Sequence, residues 1–156
     1  MAENFPIARV LMEADDLDRV LTVLAAHIHR DFPNDPDLVL LGIKTRGVYL
    51  AQRLAKRLET AHGHKPILGE IDITLYRDDL STLGAQAVVG KTEMGFDVTG
   101  KKIVLVDDVL FTGRTVRAAL DEIVDFGRPN VIRLLVIVDR GMREYPIQAE
   151  YIGQKV

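Results

Sequence analysis

Three stretches of this chain are aliphatic almost without a break: "LVLLGI" at 38–43, "KIVLV" at 102–106 and "VIRLLVIV" at 131–138. A strand with one wet face alternates apolar and polar side chains. A strand that reads as a continuous aliphatic run has both faces covered, which is the condition of parallel sheets flanked by helices. Segments of helical periodicity lie between these runs. Leu17, Val20, Leu21, Leu24 and Ile28 share one face over about 15–30, with Asp15 as the expected N-cap. Val48, Ala51, Leu54, Ala55 and Leu58 line a second helix over about 48–62. Val116, Ala119, Leu120, Ile123 and Val124 line a third, stopped by Gly127 and Pro129. Shorter strands are expected at 7–13, 67–76 and within 149–156, and 77–100 reads as a long polar loop. Strands alternating with helices give right-handed βαβ units. The expected fold is therefore an open α/β domain, a mostly parallel sheet with helices on both faces. At 156 residues it forms one domain, 1–156.

Composition removes several kinds of chemistry. There is no cysteine, so disulfides, thiolate nucleophiles and thiolate metal sites are excluded, in keeping with a cytoplasmic location. No apolar run approaches the ~20 residues of a membrane span, and Met1–Pro6 is too short and polar for a signal peptide. A net charge of −3 draws no nucleic acid by itself, although twenty Lys and Arg leave room for a local basic face. His27 and His29 are two apart on a helix and do not face together. His62 and His64 flank Gly63 without a ligand set around them, so no metal site is expected at the histidines.

The most informative stretch is "IVLVDDVLFTGRT", 103–115. An apolar strand runs into Asp107 and Asp108, steps through Val109, Leu110 and Phe111, and turns at Thr112, Gly113, Arg114 and Thr115 into a helix. In an open α/β sheet ligands bind beyond the carboxyl ends of the strands, where Asp107 and Asp108 are expected to sit. A glycine-bearing turn at a helix start offers N–H groups and a favourable dipole to an anion. Carboxylates that accept hydrogen bonds from hydroxyls, beside a phosphate cup, suit a sugar phosphate. The same two aspartates could instead simply cap and solvate the turn, and the residues alone leave that alternative open. The lysine-bearing phosphate loop and the glycine-rich dinucleotide fingerprint are both absent. A phospho-acceptor receiver domain would leave the threonine-glycine turn unexplained.

This segment resembles the phosphoribosyl-pyrophosphate (PRPP) motif of type I phosphoribosyltransferases. Together with "GIKTRGVYLAQRLA", "GEIDITLYRDDL" and "VDRGMREYPIQAEYIG", the chain resembles, nearly end to end, the bacterial pyrimidine operon attenuation regulator family. That family combines uracil phosphoribosyltransferase activity with binding of pyrimidine-operon messenger RNA. The resemblance implies a type I phosphoribosyltransferase-like fold with a flexible loop, about 77–100, over the site. Asp107 and Asp108 would hold the ribose 2′- and 3′-hydroxyls, and the segment Val109, Leu110, Phe111, Thr112, Gly113, Arg114, Thr115 would carry the 5′-phosphate. Thr45, Arg46 and Gly47 of "KTRG" would face the pyrophosphate. Arg77 joins Asp107 and Asp108 in the implied catalytic set, and Lys91 is a further candidate to reach the pyrophosphate. Asp78 and Asp79 read as solvated or as charge partners of Arg77. Phe111 stands where related 6-oxopurine enzymes carry an aspartate, which argues for a pyrimidine, and Asp139 and Arg140 are the candidates for the base pocket. Implied ligands are PRPP, uracil, UMP and pyrophosphate, with Mg²⁺ bound mainly through PRPP and no protein metal site.

For RNA, the resemblance points to Thr22 and Arg143. Family members that act on RNA carry a histidine and two arginines where this chain has Met142, Arg143 and Gln148, and another histidine at Ala26. Fewer cations here mean weaker phosphate contacts. The family pattern also continues beyond Val156 with a Pro-Thr-Ser segment and a further strand, so part of the base pocket is expected to be missing. Two readings follow. One is a uracil phosphoribosyltransferase that also regulates a pyrimidine operon in response to UMP. The other is an RNA-binding attenuation regulator with weak or lost enzyme activity. Either would work as a homodimer or larger homo-oligomer.

Overall fold

A computed structural model describes residues 12–73 and 94–156. Helix α1 (Ala14–Asp31) leads into β1 (Leu38–Ile43), α2 (Arg46–His62) and β2 (Ile67–Ile71). After residue 94 come β3 (Lys102–Leu110), α3 (Arg114–Phe126), β4 (Val131–Asp139) and β5 (Tyr151–Lys155). The five strands form one sheet in the order β2-β1-β3-β4-β5, and every neighbouring pair is parallel.

The continuous aliphatic runs are explained by two cores. Leu38, Leu40, Val104, Val106, Leu135 and Ile137 face α1 and α2, meeting Leu21, Leu24, Ile28, Leu54 and Leu58. Their sequence neighbours Val39, Leu41, Ile103, Leu105, Leu134 and Val136 face α3, meeting Val116, Ala119 and Ile123. β1, β3 and β4 are thus buried on alternate sides by alternate residues, which an all-apolar run permits and an alternating run does not. Met94 and Val98 are buried in the second core, so the last residues of the expected loop are packed.

Several boundaries differ from expectation. Met12 and Glu13 are not in a strand; the rest of 7–13 lies outside the described residues. Glu13, not Asp15, is the N-cap of α1, because Asp16 reaches back to accept its backbone N–H at 3.1 Å. Helix α2 starts at Arg46, two residues early, so half of "KTRG" is its first turn. Strand β2 stops at Ile71, and 74–76 lie outside the described residues. Strand β3 continues through both aspartates to Leu110, because β4 keeps pairing with it as far as Asp139. The histidines are also differently placed. His29 of α1 stacks on His62 of α2 with ring centroids 4.5 Å apart and meets His64 edge-on at 6.2 Å. The His64 Nε2 is 2.9 Å from the Asp35 carbonyl oxygen. Helix-helix packing joins residues that sequence spacing alone keeps apart.

Candidate active site

The strand order reverses between β1 and β3. The chain leaves β1 for β2 on one side and returns to place β3 on the other, so the crossovers diverge and leave a crevice at the strands' carboxyl ends. Register deepens it. Pairing between β1 and β3 ends at Gly42 with Val106, while β3 and β4 stay paired to Leu110 with Asp139. Asp107 and Asp108 therefore sit on a strand overhang, held by β4 on one side and open on the β1 side.

The facing wall is the turn into α2. Gly42 and Gly47 permit the approach: a Cβ on Gly47 would lie 2.2 Å from the Val106 carbonyl oxygen, and one on Gly42 would lie 2.6 Å from the Gly47 oxygen. No side chain fits in either place. The helix start is thereby pressed against β3 at the residue before Asp107, and the Lys44–Thr45 peptide is cis. A cavity of about 450 Å³ results, lined by Lys44, Thr45, Arg46, Asp107, Asp108 and Thr115 among others. Two loops separated by about sixty residues of sequence thus line one polar cavity.

The two carboxylates are not equivalent. Asp107 is buried, and its Oδ1 accepts the Asp108 N–H at 2.8 Å. Burial, reinforced by the neighbouring Asp108 carboxylate, pushes its carboxyl up to about 7. Asp108 is more open; its Oδ1 accepts the Val109 N–H at 2.8 Å and its Oδ2 lies 3.2 Å from Nη1 of Arg46. The Arg46 side chain is 83% exposed, so this ion pair is worth well under ~1 kcal/mol, and Arg46 can leave it for an anionic ligand at little cost.

The third part is the start of α3. Gly113 is its N-cap with φ of 93° and, as a glycine, brings no capping side chain of its own. The Thr112 hydroxyl accepts the Arg114 N–H at 3.3 Å. Arg114 pairs with Glu144 at 3.0 Å. Phe111, 38% exposed, carries the Arg140 guanidinium 4.4 Å above its ring, so two expected nucleotide-side residues stack on each other. Val109 is partly exposed, whereas Leu110 is buried in the core below the site and offers only its backbone.

Asp139 lines a separate cavity of about 320 Å³ with Gly141, Arg143 and Lys155. Arg143 holds its carboxyl below the ordinary aspartate range, with Nη2 at 2.6 Å from Oδ1. Arg143, expected on an RNA-facing surface, thus sits inside the hood of residues 139–147 with its side chain 20% exposed. Thr22 lies on the outer face of α1 and α2, where its hydroxyl accepts from Arg57 Nε at 3.3 Å. Arg77, Lys91, Asp78 and Asp79 lie outside the described residues. Sequence reading missed the hood itself: Gly141 and Pro146 mark it only as turn-forming, and the positive φ of Gly141 and Met142, 71° and 59°, exists only in the fold.

A model of the phosphoribosyl transferase domain matches residues 13–155. The Bifunctional protein PyrR of Pelotomaculum thermopropionicum is 53% identical, over 94% of this chain and 81% of that protein. The Bifunctional protein PyrR of Halalkalibacterium halodurans is 48% identical, over 96% and 84%. Among solved structures, a hypoxanthine-guanine phosphoribosyltransferase of Bacillus anthracis superposes with a TM-score of 0.78 over 97% of this chain and 86% of that one. At 20% identity that likeness speaks for the fold. By the domain match and by its identity to these relatives, the chain belongs to the PyrR family of phosphoribosyltransferases.

Proposed function

We propose that this protein transfers the phosphoribosyl group of PRPP to uracil, giving UMP and pyrophosphate, and that the same fold regulates a pyrimidine operon by binding its leader mRNA in response to UMP. The observation that carries the enzymatic reading is the convergence of residues 44–46 with Asp107, Asp108, Val109 and Thr115 on one cavity of about 450 Å³.

The roles are those the family resemblance implies, and the arrangement of the residues supports them. Asp107 and Asp108 accept hydrogen bonds from the ribose 2′- and 3′-hydroxyls, and the charge of Asp108, joined by that of Asp107 where it ionises, favours the oxocarbenium character that develops at C1 as pyrophosphate leaves. The start of α3, from Thr112 to Thr115, receives the 5′-phosphate through backbone N–H groups and hydroxyls. Arg46 swings from Asp108 to the pyrophosphate, and Thr45 adds a hydroxyl. Uracil N1 attacks C1 from the side of Val109, Phe111 and Arg140 as the C1–O bond to pyrophosphate breaks, and the N1 proton passes to the released pyrophosphate or to solvent. No nucleophile or dedicated acid is needed, because positioning and charge do the work. The hard oxygen donors at the cavity, above all the more open Asp108 carboxylate, fit Mg²⁺ carried in by PRPP, and the ion supplies charge neutralisation on the leaving group. Arg77 is part of this reading as a further ligand for pyrophosphate.

The test is UMP formation from uracil, PRPP and Mg²⁺ by the purified protein and by Asp107→Asn/Asp108→Asn. We expect activity in the wild type and a loss of at least about 10³-fold in the double variant. A wild type that binds PRPP yet forms no UMP would favour the second reading, an RNA-binding regulator with weak or lost catalysis. That reading has its own support in the cationic face of α1 and α2. There Asp18 draws in both Arg53, at 2.5 Å, and Arg57, at 2.9 Å, beside Thr22. A homodimer or larger oligomer is part of either reading, and sedimentation measures it.

A further inference from the structure

The hood of residues 139–147 captures three consecutive carbonyls of the phosphate loop. The Leu110 oxygen accepts from Arg140 N–H at 2.9 Å, and the Thr112 oxygen from the N–H groups of Glu144 and Tyr145 at 2.7 and 3.2 Å. The carbonyl between them, Phe111, has no backbone donor from the hood and accepts instead from Arg143 Nη1 at 2.8 Å. The same guanidinium gives its other Nη1 proton to the Gly141 oxygen at 3.1 Å, Nε to the Ile147 oxygen at 2.8 Å, and Nη2 to Asp139. Four of its five N–H groups are committed inside the protein.

A planar trans peptide points its oxygen and its N–H in opposite directions. Turning the Phe111 and Thr112 oxygens toward the hood therefore turns the N–H groups of Thr112 and Gly113 away from it. A carbonyl rotated the other way would place negative charge where the phosphate has to sit. Side chains seal the arrangement: Arg114 pairs with Glu144, and Arg117 lies over the Tyr145 ring at 5.1 Å. Among the described residues, however, only the Arg143 side chain reaches the Phe111 carbonyl.

We propose that Arg143 is a positioning residue for phosphate recognition, acting from outside the site by holding the Phe111 carbonyl out of the phosphate cup. This rests on the phosphoribosyltransferase reading above and assigns Arg143 a role distinct from contact with RNA.

The experiment compares wild type, Arg143→Ala and Arg143→Lys by steady-state kinetics, with KM for PRPP and for uracil measured separately, and by calorimetric titration with UMP. Thermal unfolding establishes that each variant is folded at the assay temperature. For Arg143→Ala we expect KM for PRPP and Kd for UMP to rise at least about tenfold, well beyond the smaller rise in KM for uracil that the loosened Phe111 and Asp139 bring, with partial recovery on adding millimolar methylguanidinium. Arg143→Lys, which keeps the charge but cannot span the carbonyls with a planar fork, is expected to lie between. If the alanine variant does not fold, the lysine variant carries the test with the same PRPP-against-uracil split. A folded variant with unchanged KM for PRPP, or with equal losses for PRPP and uracil, overturns the proposal. A wild type that binds neither PRPP nor UMP overturns the functional reading, and this inference with it.

Discussion

Asp107 shows how one residue holds function against stability. Its carboxyl titrates near 7 in the folded protein because it is buried beside Asp108, against about 4 in an unfolded chain. Between those values the folded state keeps a proton that the unfolded state releases. The stability it contributes is therefore fully present below about pH 4 and lost as pH rises through 7. Asp107→Asn removes the ionisation and keeps the oxygen that accepts the Asp108 N–H at 2.8 Å. In the absence of ligand the variant should be more stable than wild type at pH 8 by roughly 1–3 kcal/mol, the difference shrinking toward pH 4. Thermal unfolding at pH 5 and pH 8 checks this, and an equal shift at both would rule out the ionisation as its source. The identity of the pair was legible from "VDDV". The inequality of its members was not, because burial depends on which strands continue beside them.

At the scale of elements, the crevice depends on two glycines and a register. In sequence, "KTRG" reads as a loop that follows a buried strand, and its partner "DDVLFTGRT" as a motif that follows another. That they face one another is decided by β1 stopping at Ile43 while β3 runs to Leu110, and by α2 starting against the Val106 carbonyl. Gly47→Ala should push α2 away from β3, because backbone oxygen cannot yield to a Cβ placed 2.2 Å away. We expect a loss of about 1–3 kcal/mol, a fall in Tm of about 2–4 °C for each, and PRPP binding weakened at least about tenfold. Calorimetry with PRPP and thermal unfolding on one sample read both effects. Retained affinity with lowered Tm would show that the turn at 44–46 is set independently of its helix.

Over the whole molecule, α1 is tied to the sheet at the end away from the site. Asp31 at the end of α1 accepts from Tyr151 at 2.7 Å and from Arg133 at 3.1 Å, which joins α1 to β4 and β5. The net charge of −3 means that RNA must be recognised by a local face and not by the molecule's overall field. The α1/α2 face that carries Thr22, Arg53 and Arg57 is that candidate, with Asp18 offsetting part of its charge. Arg57→Ala should weaken binding of a pyrimidine-leader hairpin and, with one phosphate fewer neutralised, lower the salt slope by about 0.7–0.9, leaving UMP formation unchanged. A filter-binding series in salt reads this, and an unchanged slope would remove Arg57 from the interface. Among the described residues no helix is long and apolar enough to cross a membrane.

The chain's sequence alone determined the parallel sheet, the three helices of the described residues and the residue types carried by both loops. Each of these is written in local pattern: both-face aliphatic runs, helical periodicity, and paired carboxylates before a threonine-glycine turn. Tertiary structure alone decided where those patterns end and what they meet. It placed the strand reversal between β1 and β3, carried β3 past the aspartates, stacked His29 on His62, and turned Arg143 inward beneath the phosphate loop. The physical reason is common to all four. Local pattern records which face of an element must be buried, whereas a hydrogen bond across 32 residues, or a glycine that admits a neighbouring carbonyl, exists only once the elements are packed.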